Sequence, residues 1–259
     1  MNTSSVESPP ARQQHVTTSY GAPNDSAWRP LYRTAGVAAL LSVACIVVAV
    51  VVFLVNPPPS TVVGWFDLFH KNGLLGLLDL DLLMLVSYVL MGVIYLALYG
   101  TLRHVRQPLM SLATICGFVS ITAYLSSNVA FNMLVLSSQY DAATTDAQRG
   151  QVLAAGRAML ATWQGSAFDV SYVLGGVAAL IIATVMLRSR IFSRVTAYMG
   201  LAMGVLMVVP ATAGTVGIYL SLLSLVPTTI WLILVSRRLF ELSSGSQPSD
   251  AFITRDHHV

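Results

Sequence analysis

Asp79, Asp81 and Asp169 are the residues best placed to do chemistry, because each interrupts or borders a long apolar run that otherwise lacks charge. Two carboxyl groups brought together in a poorly solvated site can divide the roles of proton donor and acceptor. Amides and phenols beside them would supply the polar groups that orient a ligand. Such groups are at hand: Tyr124, Asn128 and Asn132 recur at four-residue spacing and so share a helix face, and Tyr172 follows Asp169 by one turn. At ~1.5 Å per helical residue, Asp81 lies ~33 Å from Arg103, Asn128 ~33 Å from Arg106 and Asp169 ~29 Å from Arg188, so all three reach one depth. They either converge into an outward-open acidic pocket or stay separately solvated at headgroup level, where carboxylates cost little.

Other chemistries find little support. Lys71 is the only lysine and is followed by Asn72, so there is no phosphate-cradling loop, and neither a Gly-x-Ser-x-Gly elbow nor a His-Glu-x-x-His helix occurs. His70 lies one turn after Asp67, half a metal site at most, and the pair His257 and His258 is too small to be one. Cys45 and Cys116 fall inside apolar runs, where free cysteine behaves as a small apolar residue. No metal and no cofactor is expected. The middles of the apolar runs carry no ionisable side chain of the kind that relays protons or ions, which disfavours active ion transport.

The elements that must position these residues follow from composition. Of 259 residues 55% are hydrophobic and only 10% charged, too few to cover the surface of a soluble domain. Apolar runs at 35–55, 77–99, 108–130, 168–187, 195–212 and 215–235 each suit one bilayer crossing, giving six. With both termini inside, eleven cations lie on the cytoplasmic side (Arg12, Arg29, Arg33, Arg103, Arg106, Arg188, Arg190, Arg194, Arg237, Arg238 and Arg255) against Lys71, Arg149 and Arg157 outside. Many of the acids sort oppositely, with Asp67, Asp79, Asp81, Asp141, Asp146 and Asp169 outward. The net charge of +3 therefore conceals a strong polarity across the membrane and implies no nucleic-acid partner.

Two outer connections are amphipathic. Pro57, Pro58 and Pro59 stop the first crossing, and Ser60 can cap a short helix ended by Asn72 and Gly73, with Val62, Val63, Trp65, Phe66 and Phe69 making it greasy on one side. It is expected flat on the outer membrane interface. The second, within 137–165, opens on the capping-box spacing Thr145 to Gln148 and carries the stripe Val152, Leu153, Met159, Leu160 and Trp163. It is expected over the bundle or the interface. Gly200 and Gly204 form a small-residue face open to another helix, in this chain or in a homo-oligomer. Pro210 and Pro227 can bend their helices, and a very tight turn near Ala213 and Gly214 makes the last two crossings antiparallel neighbours.

The run GSAFDVSYVLGGVAALIIATVMLRSRIFSRVTAYMG, 165–200, and the ending SLLSLVPTTIWLILVSRRLF, 221–240, resemble bacterial six-helix membrane proteins classed as a domain of unknown function. The resemblance covers most of 33–242 and implies a fold and a location, with no activity or site residue to carry over. The expected fold is thus an all-α, polytopic membrane helix bundle with six transmembrane helices and two amphipathic outer connecting helices. It occupies 31–242, between cytoplasmic tails at 1–30, which shows no signal-peptide pattern, and at 243–259. It is expected as a multi-pass protein of the cell membrane, with the lipid bilayer as its partner. Three functions stay open: binding or sensing a small or lipid ligand at the outer polar cluster, an intramembrane enzyme acting on lipid or envelope substrates, and a passive transporter or structural subunit.

Overall fold

A computed structural model describes residues 25–244, and all regular elements there are helical. Most of both expected tails, with Arg12, Arg255, His257 and His258, lies outside the described residues. After a 3-10 turn at Asp25–Trp28 come α1 (Arg29–Val55), α2 (Val62–Lys71), α3 (Gly73–Asp79), α4 (Leu82–Ser127), α5 (Ala130–Ala142), α6 (Asp146–Trp163), α7 (Ser166–Arg188), α8 (Arg194–Leu206) and α9 (Gly214–Ser244). Four stretches are long and apolar enough to cross a membrane, the mark of a multi-pass membrane protein: Arg29–Val55, Leu82–Ala142, Asp146–Arg188 and Gly214–Ser244.

Helix α4, at ~1.5 Å per residue, would be about twice the thickness of a bilayer core if straight. It is not straight. Arg106 leaves helical geometry (φ −152°, ψ 79°) two residues before Pro108, whose ring lacks an amide hydrogen and collides with the carbonyl one turn back. The two arms, 82–105 and 107–127, lie antiparallel. Tyr88 stacks on Tyr124 with centroids 3.9 Å apart, a Cβ on Gly117 would meet the Tyr95 ring at 2.5 Å, and one on Gly92 would meet Phe118 at 3.4 Å. Each pair is centred close to residue 106, as a hairpin folded there requires. At the bend the Arg103 guanidinium lies 4.8 Å from the centre of the Trp28 ring.

Neighbours close into a ring: α1 packs on α4, α4 on α7, α7 on α8, α8 on α9 and α9 back on α1. The core between them is built from small and apolar side chains, among them Ala35, Ala39, Leu98, Ala113, Ile182 and Trp231. The small-residue face of α8 is used inside this ring. Gly204 meets Leu180 and the Gly176 carbonyl of α7, and Gly200 meets Ala183 and Trp231. Helix α8 has 13 residues and ends at Leu206, short of the expected crossing at 195–212. Pro210 therefore lies in a turn, 207–213, rather than bending a helix, and Gly214 starts α9 with φ +72°. Pro227 lies inside α9 and is buried.

Above the ring, α2, α3, α5 and α6 form a cap with a separate core of Val62, Trp65, Phe66, Phe69, Leu80 and Met133. Most of the apolar side of α2 is thus covered by protein, with Trp65 and Phe66 each 2% exposed, while Val63 stays exposed. Thr61, not Ser60, caps α2, and Asn72 both ends α2 and caps α3 by accepting from the Leu75 amide. The Thr145–Gln148 capping box is formed in both directions and starts α6, whose stripe packs onto the cap core.

Candidate functional site at the seam between cap and bundle

The seam runs where the chain passes between cap and bundle. The expected crossing from residue 77 is interrupted: α3 ends at Asp79, Leu80 is fully buried, and Asp81 adopts left-handed geometry (φ 65°, ψ 24°) before α4 begins. Aspartate tolerates this region better than most residues, because its short polar side chain can bond locally. Here the side chain bonds far away: the Trp163 indole N–H at the end of α6 donates to Asp81 Oδ2 at 2.8 Å. Asn128 clamps the same break from the other side. Its Nδ2 donates to the Leu80 carbonyl at 3.0 Å while its Oδ1 accepts from the Ala130 amide at 3.2 Å, fixing the step from α4 into α5.

Both carboxyl oxygens of Asp79 are buried and have no hydrogen-bond partner among the described residues. Burial pushes the Asp79 carboxyl up to about 6 from its ordinary 3.8. Burial also raises Asp81 to about 6, with the Trp163 hydrogen bond opposing and the neighbouring Asp79 charge adding. Both groups precede the apolar stretch that starts at Leu82.

Under the seam an aromatic row crosses the bundle. Tyr124 stacks on Tyr88, Phe168 lies 6.1 Å from Tyr124, Tyr172 lies 6.1 Å from Phe168, and the Tyr172 hydroxyl donates to Ser221 Oγ at 2.8 Å. The buried Ser120 hydroxyl, on the second arm of α4, donates to the Ser171 carbonyl of α7 at 2.6 Å, tying the row's two walls together.

The expected site therefore divides. Asp79, Asp81 and Asn128 meet at the seam, and Tyr124 and Tyr172 belong to the row beneath it. Asp169 is held elsewhere: the Thr212 hydroxyl of the 207–213 turn donates to it, and it borders a shallow apolar depression of about 330 Å³ with Val170, Val173 and Leu174. Asn132 lies exposed on α5, its Nδ2 donating to Met159 Sδ of α6 at 3.6 Å. The expected shared face of Tyr124, Asn128 and Asn132 fails because the helix stops at Ser127 and Asn128 is extended (φ −72°, ψ 127°). Trp163, Tyr88 and Phe168 were missing from the candidate set. Trp163 was visible only as the last member of an apolar stripe.

A second polar group lies on the outer surface of the cap. His70 Nδ1 is 2.7 Å from Asp141 Oδ2, joining α2 to α5, and Lys71 donates to Asp67 at 2.7 Å. Asp67, His70 and Asp141 border an open cleft of about 350 Å³ with Val63, Phe66 and Tyr140. Asp67 and His70 thus have separate partners, and among the described residues no three His, Cys, Asp or Glu side chains are grouped to hold a metal ion.

No family model, curated protein or solved structure matches the chain.

Proposed function

We propose that this chain is a six-crossing protein of the cell membrane, with both termini cytoplasmic, that binds or senses a small or lipid ligand at the acidic seam beneath its outward cap. Supporting six crossings are the hairpin of α4, which divides one apolar stretch into two antiparallel arms, and the concentration of cations at the Arg103–Arg106 bend and the Arg188–Arg194 connection, the pattern expected of cytoplasmic loops. The observation that carries the binding reading is Asp79. A buried carboxyl without a partner is costly, and a ligand donor or cation reaching it would satisfy both oxygens. Asn128, Trp163 and the stacked tyrosines supply the surrounding polar and aromatic groups.

Thermal shifts in detergent, with short-chain phospholipids bearing amine or glycerol headgroups and with small organic cations as probes, test this reading. Wild type is expected to gain stability with at least one probe, and Asp79→Ala and Asn128→Ala to lose that gain. Equal shifts in all three proteins remove the seam from consideration.

The raised carboxyls favour a second reading, an intramembrane enzyme in which one of Asp79 and Asp81 donates a proton and the other accepts one near neutral pH. Its signature is turnover of a lipid or envelope substrate that Asp79→Asn and Asp81→Asn each abolish.

A further inference from the structure

We propose that the seam is a proton-operated latch: with Asp79 and Asp81 protonated the cap sits closed on the bundle, and loss of those protons loosens it. The inference rests on the seam as the functional site and adds the way that site is regulated.

The geometry concentrates the control at one point. Apart from the link between α1 and α2, the chain passes between bundle and cap at three places: Leu80–Asp81, Asn128–Val129 and Gln164–Gly165. The Asp81–Trp163 bond ties the first to the third, and the Asn128–Leu80 bond ties the first to the second. Asp79 and Asp81 flank the residue that Asn128 holds. A negative charge at Asp79 would sit on two buried oxygens that no donor among the described residues answers.

No charged group from the surrounding elements offsets it. Helix α3 packs on α1, α2, α4 and α5. From residue 35 to its end α1 carries no charged residue. On α2, Lys71 is paired with Asp67 and His70 with Asp141 of α5. From the two arms of α4, Tyr88 and Tyr124 are the titratable groups that face Asp81. Helix α6 brings the neutral Trp163, while its Arg149 and Arg157 are exposed.

The sign follows from linkage. Carboxyls raised from 3.8 to about 6 in the closed seam bind protons more tightly there than in an opened, hydrated one. Closure is therefore fully favoured below about pH 4 and loses that favour as pH rises through 6. The closed-to-open ratio falls by about tenfold or more between pH 5 and pH 8.

Paired nitroxide labels on the full-length protein in lipid nanodiscs, one at Thr144 on the cap and one at Tyr219 on α9, read this by pulsed dipolar spectroscopy. Wild type is expected to give a narrow distance distribution at pH 5 and a broader, longer one at pH 8. The Asp79→Asn, Asp81→Asn double variant keeps the narrow distribution at both, and asparagine suits the left-handed geometry of position 81. Trp163→Phe, which removes a bond that holds the closed seam and is strongest to the charged carboxylate, moves the opening midpoint to lower pH. A wild-type distribution unchanged between pH 5 and 8, or a pH response that survives in the double variant, overturns the latch. A pH response without any probe-induced thermal shift keeps the latch and discards the ligand reading, whereas a probe-induced shift without a pH response does the reverse.

Discussion

Gly204→Leu is expected to lower stability by about 3 kcal/mol, the upper part of the range for overpacking a close-packed interface. In a membrane there is no hydrophobic drive between helices, so α7 and α8 are held by van der Waals contact that depends on close backbone approach. Gly204 and Gly176 provide it reciprocally: a Cβ on Gly204 would lie 3.0 Å from the Gly176 carbonyl and 2.7 Å from Leu180 Cγ, and one on Gly176 would lie 3.1 Å from the Gly204 carbonyl. A side chain at 204 meets backbone that cannot rotate away. Gly150→Leu is the control, since nothing lies within 4 Å of a Cβ there and a better helix former replaces glycine. Thermal unfolding in detergent should separate the two variants clearly. Equal stability would mean that the α7–α8 contact is not close-packed.

Trp231→Ala is expected to cost about 3–5 kcal/mol, the usual range for emptying a buried aromatic site. The residue is 1% exposed on α9, the helix that closes the ring by packing on both α8 and α1, and its indole fills the space left by Gly200. Trp231→Phe should cost markedly less. The indole N–H has no hydrogen-bond partner among the described residues, so phenylalanine leaves no polar group stranded. Unfolding of the two variants in the same detergent checks this. A phenylalanine variant as unstable as the alanine one would point to a hydrogen bond rather than packing as the role of Trp231.

Local signals in the sequence carried the parts of the fold that local physics decides. The Thr145–Gln148 spacing gives the capping box, Asn72 and Gly73 punctuate α2 and α3, and Pro108 marks the start of the second arm of α4. The stripe on α6 is on the side expected. Periodicity shows which side of a helix is apolar but not whether lipid or protein covers it, so the packing of α2 and α6 into a cap with its own core was not legible. The break at Leu80–Asp81 was hidden for a related reason. Residues 74–85 read as one apolar run with two acids, and the groups that stabilise the break are Trp163, 82 residues from Asp81, and Asn128, 48 residues from Leu80. The depth count placed Asp81, Asn128 and Asp169 at one level, but level alone does not bring residues together, and Asp169 turns instead to Thr212. Conversely, the Tyr88–Tyr124 stack was within reach of the sequence, because a hairpin folded at residue 106 places those two positions opposite each other.

In the topology we propose, the cap, with the acidic seam beneath it, faces outward while the Arg-rich connections face the cytoplasm. Introduced cysteines, one at Thr144 on the exposed edge of the cap and one at Ser189 after α7, test it with a membrane-impermeant thiol reagent applied to intact cells. The native Cys45 and Cys116 lie within the apolar stretches and serve as the unlabelled background. Labelling is expected at Thr144, and at Ser189 only once the membrane is opened; the reverse pattern would overturn this topology.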